Sequence, residues 1–268
     1  MKIGIFDSGI GGLSVLDEAV HRLSGVDYIF YADIDHVPYG LKTPEQITEY
    51  VDDIAKYLIE NGVDAIVIAC NTATSVAAKR LRSMYSIPII GMEPAVKPAV
   101  QLSEQNGKRA LVMATPVTIR ENKLKTLLER VDKNHVVDLL PMPGLVRFAE
   151  SGVFSGKEVE EYLDEQLGVL DKSKYGAVVL GCTHFNYFKQ VIKSAFEDIT
   201  LLDGNVGTIK QLAKLLNIPI KSDEAIEKEE AIEESSMTFI ESGREVVDMF
   251  GKAKYEGLLD YLSSVRDL

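Results

Sequence analysis

Along most of the chain, short apolar runs alternate with stretches whose apolar residues recur at helical spacing, the pattern of a parallel α/β fold. The runs predict strands at 2–6, 28–32, 65–69, 88–91, 109–114, 136–140, 177–181 and 200–202. Between the second and third, Ile47, Val51, Ile54 and Leu58 form a helical stripe. Thr43-Pro44-Glu45-Gln46 stands before it as a capping box with proline in the first turn.

The same pattern returns further along. Shifted by 112 positions, Gly40 falls on Gly152, Thr43 on Ser155, Glu49-Tyr50 on Glu161-Tyr162 and Asp52 on Asp164. In that register Ala65 meets Ala177, Val67 meets Val179 and Cys70 meets Cys182. Ser155-Gly156-Lys157-Glu158 reads as a second capping box, and Val159, Leu163, Leu167 and Leu170 as the second stripe, with Gln166 opposite Ile54 as the exception. At an offset near 108, the run 2–6 falls on 110–114. Units of βαβ type resemble one another in general, but that does not bring caps, a Glu-Tyr pair and a rare residue into one register. The expectation is two pseudo-symmetric α/β lobes, 1–97 with 207–268 and 98–206. Each is a mainly parallel sheet flanked by helices, with a site between the lobes and one cysteine from each. In the tail, 222–235 is acidic and weakly patterned, a solvated helix or loop. Residues 237–240 suggest an edge strand, and 245–265 one or two helices that pack on the first lobe.

Composition narrows the partners. Hydrophobic residues make up 46% of the 268 positions, enough for a sizeable core. With 29 basic against 41 acidic residues the net charge is -12, which repels phosphate backbones and anionic lipid. Nucleic acid is not expected as a main partner, nor a membrane. No run approaches the ~18 apolar residues of a membrane span, and the apolar run 3–6 stops at Asp7, short of an export signal. A cytoplasmic protein is expected. Its two cysteines, 112 positions apart, form neither a disulfide framework nor a zinc cluster, so no metal is expected.

In open parallel sheets, sites lie beyond the carboxyl ends of the strands. Those ends carry Asp7-Ser8-Gly9, Pro38-Tyr39-Gly40, Cys70-Asn71-Thr72, Thr115 to Thr118 and Cys182-Thr183-His184, to which the acidic Glu150 is added. Each cysteine ends a strand before a helix expected to begin near Thr72 or His184, where amides and the helix dipole favour a thiolate. Buried structural cysteines, or a redox disulfide across the lobes, are the other readings. Asp7 could orient an ammonium group or take a proton from a thiol, or simply cap a turn; His184 could assist Cys182. Gly9-Ile10-Gly11-Gly12 lacks the third glycine of a dinucleotide fingerprint, since Ser14 stands there, although Asp33 loosely supplies the acidic residue. The glycines more simply let amides approach a small anion. The hydroxyls of Ser8, Thr72, Thr115, Thr118 and Thr183 suit a carboxylate-bearing ligand.

Four of these segments in order, Phe6-Asp7-Ser8-Gly9-Ile10-Gly11-Gly12-Leu13-Ser14, Pro38-Tyr39-Gly40, Cys70-Asn71-Thr72-Ala73 and Gly181-Cys182-Thr183-His184, resemble the glutamate racemases of the aspartate/glutamate racemase superfamily. The resemblance spans nearly the whole chain. It implies a cytoplasmic enzyme, usually a homodimer, that makes D-glutamate for peptidoglycan without pyridoxal phosphate or metal. It implies Cys70 acting on the D-isomer and Cys182 on the L-isomer, with Asp7 and His184 as their helpers. Ser8, Tyr39, Gly40, Asn71, Thr72, Thr118 and Thr183 would hold the substrate; Pro38, Thr115 and Glu150, from the same strand-end rim, are expected to bind it with them. The chain departs from the family pattern at His36, where arginine is frequent, and at Asn186, where proline is frequent. Two thiols on opposite faces of an α-carbon supply the base and the acid that inversion without a cofactor requires. A racemase for aspartate or another amino acid, and a non-catalytic two-lobed binding protein for small acids, stand as alternatives.

Overall fold

The computed structural model describes residues 1–227 and 235–268. The first lobe starts with β1 (Lys2–Asp7), α1 (Leu13–Arg22), β2 (Asp27–Ala32), α2 (Pro44–Glu60), β3 (Ala65–Ile68), α3 (Asn71–Met84) and β4 (Ile89–Gly91). After α4 (Val96–Asn106) come β5 (Arg109–Ala114), α5 (Pro116–Arg120), α6 (Asn122–Val131), β6 (Val137–Pro141), α7 (Pro143–Glu150), α8 (Lys157–Leu167), β7 (Tyr175–Leu180), α9 (Lys189–Ser194) and β8 (Thr200–Leu202). The tail holds α10 (Asn205–Leu216), α11 (Asp223–Glu227), β9 (Met237–Glu241), β10 (Arg244–Glu245) and α12 (Met249–Val265).

These strands make two sheets, ordered β10-β9-β2-β1-β3-β4 and β6-β5-β7-β8. All pairs are parallel except β9 with β10. The second sheet repeats the β2-β1-β3-β4 order of the first, as a duplicated chain requires. Helices cover both faces, which is why β3 and β7 are apolar and buried at every position instead of alternating. The register corrects one expectation. Ile3 lies beside Ala65, and Ala110 beside Ala177. Because Ala65 and Ala177 are equivalent, Ile3 matches Ala110, and the first strand repeats at 107, not 108. A one-residue slip would turn every side chain to the other face. In the true register Asp7 corresponds to Ala114 and Ser8 to Thr115.

The predicted stripe of α2 is buried as Ile47, Val51, Ile54 and Leu58, and the Thr43–Gln46 capping box is formed. The second box is not. Gly156, with φ of 99°, is the N-cap of α8, and no side chain caps it. That left-handed backbone turns Ser155 out of the capping position. Val159, Leu163 and Leu167 are buried on α8 as expected, while Leu170 lies past its end.

One core cluster runs through both lobes, from Ile3 and Leu13 to Leu111, Phe185 and Tyr187, and is closed behind by Tyr255 and Leu262 of α12. The outer faces of the two sheets carry separate cores. The tail differs from its expectation at its strand, and its last helix packs on the first lobe as expected but reaches the second as well. The strand at Met237–Glu241 pairs with β2 on one side and β10 on the other, so it is not an edge. Residues 249–265 form one helix, which meets both lobes: Ser263 bonds Asp17 of α1, and the Tyr261 hydroxyl donates to Tyr187 O at 3.0 Å. Of the acidic stretch 222–235, Asp223–Glu227 is helical and 228–234 lies outside the described residues. Among the described residues no helix is long and apolar enough to cross a membrane.

Candidate active site

Cys70 follows β3 and caps α3. Its sulfur accepts the Ala73 amide at 3.4 Å, and its thiol donates to Ser8 Oγ at 3.9 Å. The helix N-terminus expected beside it is present. Burial nevertheless pushes the Cys70 thiol well above its ordinary range, and the neighbouring Asp7 carboxylate adds to the rise.

Cys182 has a different setting. The segment after it, Thr183–Phe188, is a 3-10 helix, and α9 begins only at Lys189, so the α-helical N-terminus expected near His184 is absent. Side chains three apart eclipse on a 3-10 turn, which sends Phe185 and Phe188, both fully buried, into the core together. In place of helix amides Cys182 has an imidazole: its sulfur lies 3.7 Å from His184 Nδ1. The other ring nitrogen, Nε2, meets Glu150 Oε1 at 2.6 Å, and that oxygen also accepts the Ile10 amide at 2.9 Å. Burial opposes a charge on His184, but the bonds to Cys182 and Glu150 prevail and lift it well above its ordinary value. The balance favours the protonated ring.

Asp7 is fully buried between the two halves. It accepts the Ser8 amide and the Thr183 hydroxyl, each at 2.8 Å. Burial raises it above the usual carboxylate range, although His184, Thr183 and the Ser8 amide pull the other way. Three hydroxyls also bridge the lobes: Thr72 lies 3.2 Å from Thr115 and 3.3 Å from Thr118, and Thr115 donates to Thr118 at 3.0 Å.

One cavity of about 10 Å³ lies among these groups. The first lobe lines it with Ser8, Pro38, Tyr39, Gly40, Cys70, Asn71 and Thr72, and the second with Thr115, Cys182, Thr183 and His184. Asn71 keeps a buried side-chain oxygen without a hydrogen-bond partner among the described residues. The space admits no more than about one water, so the cleft is closed on itself. Three expected residues stand behind the wall: Asp7 under Ser8 and Thr183, Thr118 behind Thr72 and Thr115, and Glu150 behind His184. Val146 of α7 lines the cavity and was not expected; in the sequence it is one more apolar residue of an amphipathic helix.

The glycine loop does not serve as an anion cradle. A Cβ on Gly9 would sit 1.9 Å from Glu150 Oε1, and one on Gly11 would sit 2.4 Å from His184 Nδ1. These glycines let the first lobe approach the His184–Glu150 pair of the second, and the carboxylate received by the Ile10 amide is the protein's own. Asp33, the loose match to a ribose-binding acid, is buried against the Tyr39 hydroxyl at 2.6 Å.

Comparison with known proteins agrees with this geometry. Residues 7–212 match the Asp/Glu/Hydantoin racemase family. The glutamate racemase of Lachnospira eligens is 50% identical over 213 residues, 79% of this chain and 80% of that one. Glutamate racemase 2 of Bacillus subtilis is 43% identical over 267 residues, 99% of this chain and 98% of its own. Among solved structures, the glutamate racemase of Campylobacter jejuni superposes with a TM-score of 0.77 at 26% identity, covering 97% of this chain and 98% of that one. That of Francisella tularensis, in complex with D-glutamate, gives 0.75 at 28%, covering 97% and 93%. Two sheets of one strand order, a thiol at the same place in each, and a family match across most of the sequence lead to one assignment: the chain belongs to the Asp/Glu/Hydantoin racemase family.

Proposed function

We propose that this protein is a glutamate racemase that inverts Cα with Cys70 and Cys182 as opposed base and acid. The observation that carries the reading is the placement of two equivalent thiols, one from each lobe, on a single closed cavity. Glutamate as the substrate rests on the named activity of relatives that match over most of the chain.

In the L-to-D direction, Cys182 as thiolate removes the Cα proton, and the C–H electron pair moves into the α-carboxylate as an enediolate. The Cys70 thiol then gives its proton to the opposite face, leaving a thiolate at Cys70 and a thiol at Cys182. Burial that favours the thiol at Cys70, and a raised His184 beside Cys182, suit this direction. The hydroxyls of Thr72 and Thr115, with Asn71 and Thr183, are the neutral donors for the enediolate, and exclusion of water strengthens them. Asp7 serves the Cys70 side. Glu150 acts through His184, whose ring it orients, instead of touching substrate. The protein is further read as a cytoplasmic homodimer supplying D-glutamate for peptidoglycan; a single-protomer mass in solution would remove the dimer.

The test is deuterium uptake at Cα in heavy water with each pure isomer. Cys70→Ala and Cys182→Ala should each lose racemisation by at least ~100-fold, the scale of a positioned acid or base. Cys182→Ala should still exchange the α-proton of D-glutamate, and Cys70→Ala that of L-glutamate. Near wild-type racemisation by either variant refutes the two-base reading. Faster turnover of aspartate by the unmodified protein would reassign the substrate, and no exchange at all would leave a binding protein.

A further inference from the structure

The connection between β9 and β10 is Ser242-Gly243, with positive φ at both residues, 45° and 83°. Two left-handed residues joining antiparallel strands make a turn of the I′ kind, which asparagine or glycine fits at the first position far better than serine. A serine held there against its backbone preference calls for a reason in its side chain. The Ser242 hydroxyl donates to Asp33 Oδ1 at 3.0 Å and accepts the Asp35 amide at 3.0 Å, while its own backbone N–H donates to Ala32 O at 2.9 Å. Asp33, 2% exposed, uses its other oxygen to accept the Tyr39 hydroxyl at 2.6 Å, and His36 Nδ1 lies 2.9 Å from both. Alongside, Arg244 makes a two-pronged ion pair with Asp35, each bond 2.9 Å. The hairpin thus grips the 33–40 loop that carries Pro38, Tyr39 and Gly40 to the cavity wall.

We propose that Ser242 is a positioning residue for the reaction: its hydroxyl fixes Asp33, Asp33 fixes the Tyr39 hydroxyl, and this chain holds the Pro38-Tyr39-Gly40 wall of the cleft in its binding geometry. The inference rests on the reading of the cleft as a racemase site. Nothing in the spacing of the sequence links position 242 to position 39; the link exists because β9 lies beside β2 and its turn reaches the loop that follows β2.

Ser242→Gly separates backbone from side chain, since glycine relieves the turn while removing the hydroxyl. The expected result is an unchanged or higher melting temperature together with a KM for glutamate raised about tenfold, the scale of a hydrogen bond to a charged group. The change should fall on KM with kcat within about twofold, because the wall holds ground and transition states alike. A double-mutant cycle with Tyr39→Phe supplies the readout that a purely structural role would not move: in that background Ser242→Gly should add less than about twofold. Ser242→Asn, compatible with the positive φ, is measured beside it should the glycine variant fail to fold. An unchanged KM in the folded variants, or the full tenfold loss persisting without the Tyr39 hydroxyl, overturns the proposal. Inactivity of the unmodified protein on glutamate would instead remove the function reading, and is seen before any variant is made.

Discussion

Two neighbours outweigh burial in raising His184, and Glu150 is the one that can be removed without touching a thiol. Its folded value lies above the ordinary 6.5, so the stabilisation this proton contributes is complete below about pH 6.5 and is lost as pH rises through the raised value. Glu150→Gln should lower that value. The alkaline limb of kcat/KM for L-glutamate should then move to lower pH, and the loss of stability on raising the pH should begin earlier. Rate profiles and thermal melts between about pH 6 and 10 check both, and an alkaline limb that stays in place would detach Glu150 from the proton on His184. At this scale the sequence displayed most of the cleft, since eleven of the fourteen expected residues line it. It misplaced Glu150, whose partner is 34 positions away and is reached only when α7 packs on the segment after Cys182. Glycines 9 and 11 misled for a related reason: from sequence, a tight approach to a ligand looks the same as a tight approach to another part of the chain.

Elements show where local signals decide and where tertiary contacts do. The Thr43 side chain accepts the Gln46 amide at 3.3 Å, and the Gln46 side chain accepts the Thr43 amide at 3.0 Å. Thr43→Ala should cost about 1 kcal/mol, a fall of about 2–4 °C in melting temperature. Ser155→Ala should stay within about 0.5 kcal/mol, because no cap is formed there. Equal losses in the two variants would mean that α8 has a cap after all. Strand positions were legible because both sheet faces are covered and the runs are continuously apolar. The turn after Cys182 was not, since a 3-10 helix and an α-helix begin with the same residue types and the choice falls to the packing of Phe185 and Phe188. The hairpin partner of β9 is not legible in the sequence, because Arg244-Glu245 is too short and too polar to read as a strand.

At the scale of the molecule, the duplication visible in the sequence appears as one strand order used twice, and the lobes close so fully that about 10 Å³ remains between the cysteines. Glutamate cannot enter or leave such a space without the lobes parting, and bulk solvent has little access to the cysteines, 6% and 7% exposed, while they are shut. On the proposed two-base mechanism, a passage from L to D ends with the proton on Cys182 and Cys70 stripped of its own, the arrangement that burial and Asp7 disfavour. After the cleft opens to release D-glutamate, and until protons are redistributed, that form accepts the D-isomer and no other. A protein working this way would keep a brief memory of the isomer it last released. With glutamate far above saturation, product should rebind before the memory fades, and the approach to the racemic mixture should slow beyond what saturation alone predicts. Polarimetric progress curves at rising concentration test this, with curves that follow simple saturation throughout as the contrary result. A proton that outlasts the opening of the cleft would make the traffic through this enzyme depend on which way the last molecule went.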